Sequence, residues 1–495
     1  MHISASRILS LALVLVTSLL IPGCATNPVT GKRQLSLISE ESEIQMGQQY
    51  DPQVVAEFGI YDDPQLQSFL TEKGNEMAAI SERPNLPWTF RLVDSEVVNA
   101  FAVPGGFVYF TRGIMAHFNN EAQFAGVLGH EIGHVTARHT VAQQSKQQVA
   151  QIGLLGGMIL SPELASQGQS LMQGMQLLFL KFGRDAESQS DELGVKYSTA
   201  IGYDSKEMAG FFSTLDKLSG GAENRAPSFL STHPDPLNRE ARVMELTQAA
   251  QAAAPPQDYE VDRDGYLRRI DGILYGEDPN QGYVESGAFY HPALRFQFGI
   301  PTNWQLINTP TMVQIVSPDQ KALMQMRLAE GTDTRAAAQQ FAQQNQVQVS
   351  NTSDQAINGL PATTIVGQIT QTDQQSGQSQ KLGVISSFIS YGGNIYMMAG
   401  LSAANDFRRY ATAMENSIRS FSELTDQSKL NRQPERIKIV TVPQATTLQQ
   451  ALLDNQIPQA RVTEFAILNG MDINTQLPAG YLIKAISGGS TGIRP

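Results

Sequence analysis

Residues 120–144 constrain this chain more than any other stretch, because they read as one helix that has to be buried along one side. Asn120, followed three residues later by Gln123, has the spacing of a capping box, in which two side chains satisfy the first free backbone amides of a helix. Phe124, Val127, Leu128, Ile132 and Val135 then recur at helical spacing as an apolar stripe. Such a stripe faces a core.

On the border of the stripe stand His130 and His134, with Glu131 between them in the order His-Glu-Ile-Gly-His. Residues i and i+4 lie one above the other on a helix, so two imidazole nitrogens can converge on one ion. A catalytic zinc takes three protein ligands and leaves a fourth position to water, whose pKa falls to about 7 when bound. Glu131 projects from the same region and is placed to take a proton from that water. The same pentapeptide also occurs on ordinary amphipathic helices whose histidines are simply hydrogen-bonded. Gly133 favours the metal reading: glycine inside a helix costs about 1 kcal/mol relative to alanine, so a close backbone or ligand approach is its expected reason. His139 lies five residues beyond His134, a rotation of about 500° on a continuous helix, which turns it away from the pair. It is expected to be structural.

A third ligand is expected downstream, where residues 183–191 read Gly-Arg-Asp-Ala-Glu-Ser-Gln-Ser-Asp. Glu187 and Asp191 are again one turn apart, so one carboxylate can reach a metal while the other orients a ligand imidazole. Alone, so polar a stretch is an ordinary solvated helix face.

Three motifs in order carry a resemblance: Asn-Ala-Phe-Ala-Val-Pro-Gly-Gly-Phe-Val-Tyr-Phe-Thr-Arg-Gly at 99–113, His-Glu-Ile-Gly-His at 130–134, and Arg184-x-x-Glu187-x-x-x-Asp191. Together they resemble the zinc metallopeptidases of the CAAX-prenyl-protease type, in particular their soluble, lipoprotein-anchored bacterial branch, over residues 27 to 245. The resemblance implies a mainly helical, gluzincin-like zincin domain with a small sheet. It also implies one zinc ion held by His130, His134 and Glu187, with Glu131 as catalytic base and Asp191 behind the ligands. Gln123 departs from the pattern, since many relatives have Glu there, but it keeps the capping role.

Composition enters at the N-terminus. The 495 residues contain one cysteine, Cys24, so no intramolecular disulfide is possible. Arg7 precedes an apolar run over residues 8–21, the length of a signal-peptide core rather than of a membrane span. The run ends Leu20-Ile21-Pro22-Gly23-Cys24, which resembles a bacterial lipobox whose cysteine is acylated. A plain secretory signal with a chance cysteine is the other reading. Lipidation, followed by Ala25, implies an outer-membrane anchor facing the periplasm. A net charge of −12 argues against a nucleic-acid partner.

The domain organisation expected from the sequence is α+β and multidomain. A signal peptide at 1–23 and a tether at 24–42 precede the metallopeptidase domain at 43–247. A linker at 248–258, rich in Ala and Gln and ending Pro255-Pro256, follows. Helices are expected at 43–58 and 63–81, and strands at 88–93 and 100–110, the latter broken into a hairpin by Pro104-Gly105-Gly106. Residues 99–102 are the candidate edge for an extended substrate, with an internal strand as the alternative. Residues 152–160 are apolar and read as a buried turn of helix or, alternatively, as a mobile lid, and a second apolar segment, 171–182, leads into the helix of the third ligand. His233, before Pro234 in a turn-rich loop, is read as a donor to an oxyanion, as a removable fourth ligand, or as a surface histidine.

From 259 to 424, strands at 294–300, 312–316, 322–328, 363–369, 384–389 and 394–401 alternate with helices at 334–344 and 404–420. This is an α+β sandwich with a faint resemblance to the PsbP-like fold through Phe298, Pro301, Trp304 and the final helix. Residues 435–488 read strand, helix, helix, strand and resemble a LysM module, which implies glycan of the cell wall as a partner; the strand before the first helix lacks the usual Gly-Asp, and a small packing module is the alternative. Function is expected to be zinc-dependent cleavage of misfolded or misassembled envelope proteins. The alternative is a silent protease-fold lipoprotein that acts as a chaperone-like or cell-wall-binding factor.

Overall fold

Asn120 is extended, with φ −160°, and its side-chain oxygen accepts the backbone N–H of Gln123 at 2.8 Å, so the chain enters a helix at Glu121. This is seen in a computed structural model that describes residues 24–146, 182–219, 229, 232–233, 238–372 and 379–489. The expected signal peptide, the stretch 152–160 and most of 171–182 lie outside the described residues, as do Pro234, Asp235 and Pro236. Of Cys24 only the backbone is described, in a short strand.

The chain divides into two compact units. The first comprises the residues up to 55, then 60–273 and 437–486; the second comprises 274–436 with short flanks.

In the first unit β1 (Cys24–Thr26) pairs antiparallel with β2 (Arg33–Leu35). Helix α1 (Glu40–Phe58) follows, then α2 (Pro64–Ile80), which Asp63 starts by accepting from the amides of Gln65 and Leu66. A three-stranded sheet has the order β3 (Thr89–Val93), β5 (Phe107–Thr111), β4 (Ala100–Val103). Strand β4 is therefore at an edge. The turn between β4 and β5 requires glycine: Gly105 has φ +87°, and a Cβ there would stand 2.8 Å from the carbonyl oxygen of Glu43.

Helix α3 (Arg112–His117) leads to α4 (Glu121–Thr136), and beyond it come α5 (Arg184–Ala200), α6 (Glu207–Ser219), α7 (Arg239–Ala253) and α8 (Arg263–Arg269). Every residue of α4 is buried, so the helix is enclosed on all sides rather than along one stripe. It is also shorter than the sequence reading. It stops at Thr136, is capped by Ala137, and turns at Arg138, whose φ is +57°. That turn is held by buried charge: Glu43 accepts from Arg138 Nε at 2.9 Å and from Arg83 at 2.8 and 3.0 Å, while Arg138 also donates to Ile38 O. Helix α7 runs through residues 248–253, the first part of the stretch read as a linker. Its Ala and Gln residues are strong helix formers, and its C-cap is at Ala254, just before Pro255-Pro256.

In the second unit, β6 (Tyr283–Glu285), β7 (Ala288–His291), β8 (Phe296–Gly299) and β16 (Ser422–Glu423) form one antiparallel sheet. A seven-stranded sheet has the order β9 (Gln305–Thr309), β10 (Met312–Val316), β11 (Ala322–Leu328), β15 (Asn394–Ala403), β14 (Ser379–Tyr391), β13 (Ala362–Thr372), β12 (Gln348–Ser353). Helices α9 (Thr334–Gln344) and α10 (Phe407–Arg419) complete it: α9 contributes Ala337 and Ala338 to a cluster with Ile365 and Phe388, and α10 packs Tyr410, Met414 and Ile418 with Phe289, Phe296 and Ile385. The sequence reading missed β12 because its residues are almost all exposed at an edge and lack apolar alternation.

The chain then returns to the first unit. After β17 (Glu435–Thr441) come α11 (Leu448–Asp454), α12 (Val462–Leu468) and β18 (Leu482–Gly488). Residues 437–486, read from the sequence as a module of their own, cluster with residues 60–273, and Lys484 is buried between the two segments. Its Nζ donates to Ala116 O at 2.8 Å, Phe118 O at 2.7 Å and Leu468 O at 3.1 Å. The first two carbonyls lie at the C-terminal end of α3, within four residues of the N-cap of α4. Lys484→Ala is expected to strand these carbonyls and lower the stability of the first unit by about 3 kcal/mol, read as a shift of its unfolding midpoint. An unchanged midpoint would show that the contact is incidental.

Candidate metal centre

Glycines bring the site together. A Cβ on Gly129 would lie 3.0 Å from Gly194 O, one on Gly194 would lie 2.9 Å from Gly126 O, and one on Gly133 would lie 3.0 Å from Leu193 Cβ. Helices α4 and α5 thus pack backbone to backbone, and the expected close approach at Gly133 is that of α5. This places Glu187 and Asp191 over His130 and His134.

One ligand atom from each of His130, His134, Glu187 and His233 lies within 4.8 Å of the other three, and all four residues are buried. His130 Nε2 and His134 Nε2 are 3.0 Å apart, and each is 3.5 Å from an oxygen of Glu187. His233 Nδ1 is 3.3 Å from His130 Nε2 and 3.2 Å from Glu187 Oε1. Zinc-ligand bonds of about 2.0–2.1 Å at tetrahedral angles separate ligand atoms by about 3.3 Å, so the spacing suits one such ion.

The electrostatics suit it as well. Both oxygens of Glu131, one of Glu187, and Arg239 Nη1 are buried without a hydrogen-bond partner among the described residues. Burial raises the Glu131 pKa, against the opposing charges of His233 and His130. For Glu187 burial acts upward too, but His233, His130 and His134 outweigh it and hold the carboxyl well below its usual range. His134 is pushed well below the ordinary imidazole value by burial, which keeps it neutral and able to ligate.

Behind the group, Asp191 Oδ1 lies 2.9 Å from His130 Nδ1. Arg239 grips Asp191 with two bonds, Nε to Oδ2 at 2.9 Å and Nη2 to Oδ1 at 2.7 Å, while its guanidinium stacks 3.8 Å from the Phe212 ring centre. Sequence reasoning missed Arg239. It opens α7 a few residues after His233-Pro234, and that position was the only signal, because nothing in periodicity separates it from other helix arginines.

One expectation needs correcting. His139 is not turned away: its Nδ1 lies 3.1 Å from His134 Nδ1, because the chain leaves the helix at Arg138 and the rotation of a continuous helix does not apply. Of the readings of His233, the surface one is excluded: the residue is buried, and Phe229 stacks on its ring at 4.4 Å.

Residues 64–247 match the model of Peptidase family M48. The chain is 31% identical over 271 residues to a beta-barrel assembly-enhancing protease of Yersinia pestis, covering 53% of this chain and 54% of that protein. It is 30% identical over 224 residues to the protein of that name in Escherichia coli (strain K12), covering 43% and 45%. To the mitochondrial metalloendopeptidase OMA1 of Arabidopsis thaliana it is 31% identical over 192 residues, 38% of each chain. The chain thus spans about half the length, or less, of these three relatives. Among solved structures, the cyanobacterial PsbP of Synechocystis aligns with 30% of this chain and 98% of its own at 13% identity, with a TM-score of 0.24 that supports no conclusion. Glu187, Asp191, His233 and the His130–His134 pair all fall inside the segment that is similar to Peptidase family M48, and their buried histidines and glutamate suit one zinc ion.

Proposed function

We propose that the chain is a zinc-dependent endopeptidase of the bacterial cell envelope that cleaves misfolded or misassembled envelope proteins. The observation that carries this reading is the convergence of His130, His134 and Glu187 beside a buried Glu131 with no hydrogen-bond partner among the described residues. When bound, zinc supplies Lewis acidity: it polarises a carbonyl and lowers the pKa of water to about 7. Glu131 takes the proton of the attacking water and returns it to the leaving amine. Asp191 holds His130 through Nδ1, which leaves Nε2 as the ligating atom. Edge strand β4 offers main-chain groups to an extended substrate.

Two relatives bear the name of a beta-barrel assembly-enhancing protease, which supports envelope proteins as the substrate class. Anchoring by a lipid on Cys24 to the periplasmic side of the outer membrane follows from the lipobox-like sequence. No helix among the described residues is long and apolar enough to cross a membrane.

A second reading rests on His233. Its Nδ1 stands among the candidate ligand atoms and its Nε2 is 3.6 Å from Glu131 Oε1, so it can cap the site and leave a silent lipoprotein that binds unfolded protein or, through residues 437–486, cell-wall glycan. Cleavage of an unfolded protein by wild type and His233→Ala discriminates, with a chelator and added zinc as controls. A capped enzyme becomes several-fold faster in the variant; an oxyanion donor makes it slower, by about 10²–10³ if its role is typical. Absence of cleavage in both, with zinc bound, gives the second reading.

A further inference from the structure

The two candidate imidazole ligands are held from behind in different ways. His130 faces a carboxylate, Asp191, that is itself gripped by Arg239. His134 faces a neutral ring. Its Nε2 points into the ligand group, 3.0 Å from His130 Nε2, and its Nδ1 lies 3.1 Å from His139 Nδ1. The far nitrogen of His139, Nε2, lies 2.9 Å from the side-chain oxygen of Gln189 on α5.

These contacts, with the Ser190 hydroxyl oxygen 3.3 Å from His139 Nδ1 as a second donor within reach of that nitrogen, set where the protons sit. An amide oxygen only accepts, so His139 carries its proton on Nε2 and presents a lone pair at Nδ1. His134 then donates its Nδ1–H to that lone pair, which leaves Nε2 unprotonated and free to ligate. The turn at Arg138 makes the arrangement possible. Its left-handed backbone, tied to Glu43 and Ile38, brings His139 back alongside His134 instead of carrying it round a further turn of helix.

We propose that His139 is a positioning residue for the metal centre: by accepting from His134 Nδ1 it holds that ligand in one tautomer and one ring orientation. The inference rests on the zinc reading of the site and assigns the back of His134 to an uncharged partner. A metal ligand backed by a neutral ring is a weaker electron donor than one backed by a carboxylate, so His134 is the less tightly held of the two imidazoles.

The test is the zinc affinity of the full chain, measured by competition with a chelator of known affinity, alongside the unfolding midpoint of the zinc-free protein. His139→Phe keeps the ring and removes the acceptor; zinc binding is expected to weaken about 10–100-fold. His139→Asn restores an acceptor oxygen where Nδ1 stood and should recover affinity to within a few-fold of wild type. Equal losses in both variants, or none in His139→Phe, would overturn the inference. Should His139→Phe fail to fold, Gln189→Leu frees the His139 tautomer and is expected to weaken zinc about tenfold, with unchanged affinity overturning the inference. His130→Ala separates the two readings. If it binds zinc as tightly as wild type, the metal centre itself is misassigned and this inference falls with it. If it loses zinc while both His139 variants keep it, only the positioning role is wrong.

Discussion

Glu131→Gln is expected to keep its zinc and to lose peptide hydrolysis by a factor of about 10²–10⁴. The substitution is nearly isosteric, so the packing of a fully buried helix is preserved. What disappears is a buried carboxylate beside the ligand group that is not itself assigned as a ligand. Both of its oxygens lack hydrogen-bond partners among the described residues, and burial holds its pKa above the ordinary glutamate value. A group in that condition is costly to the fold unless a substrate or water engages it. The check is a paired measurement of metal content and cleavage of an unfolded protein. Residual cleavage near the wild-type rate would assign the base to another residue, and loss of zinc would make Glu131 a ligand.

The second large effect concerns Arg239, which touches none of the ligand atoms closely enough to share a metal. Arg239→Leu removes both hydrogen bonds to Asp191 and a guanidinium that stands 3.6 Å, through Nη2, from Glu187 Oε2. Two buried carboxylates are left without a permanent counter-charge. Breaking a buried pair in this way costs about 3–5 kcal/mol. Adding Asp191→Asn removes one of the stranded charges, so the double variant is expected to be more stable than Arg239→Leu alone.

The pH dependence has a definite sign. Burial raises the Asp191 pKa, but the charge of Arg239 and the bond with His130 more than offset it, so the folded value lies below the ordinary one. The stabilisation is therefore complete above the ordinary aspartate value of about 3.9 and is lost as pH falls through the lowered folded value. Denaturant unfolding of zinc-free wild type and variants reads both effects. A loss under about 1 kcal/mol in Arg239→Leu would mean that water screens the pair despite its burial.

Much of the site was legible because its chemistry is local. His130 and His134 are one helical turn apart, and the Asn120 cap marks where that helix begins. Glu187 and Asp191 repeat the same spacing on a second helix. In the second unit the alternating strands 312–316 and 322–328 and the helix 334–344 appear in the structure with the same bounds. Period-two and period-3.6 patterns survive into the fold wherever one face is buried and the other is not.

The misreadings share one cause. His139, Arg239 and Lys484 take their roles from partners 5, 48 and 368 residues away, across turns that no periodicity encodes. A helix continued past Thr136 would carry His139 away from the site, and only the buried Glu43 bridging Arg83 and Arg138 shows why it stops.

By itself the sequence determined which side chains are available to hold an ion, and that two of them come from a single helical turn. Tertiary structure decided the remainder: that α4 is enclosed on every side, that glycine contacts bring α5 within reach, that an arginine from α7 neutralises Asp191, and that residues 437–486 close over the start of the metal helix. The physical reason is range. Hydrogen-bonded turns are set by neighbours along the chain, whereas burying charge requires partners that only packing can deliver.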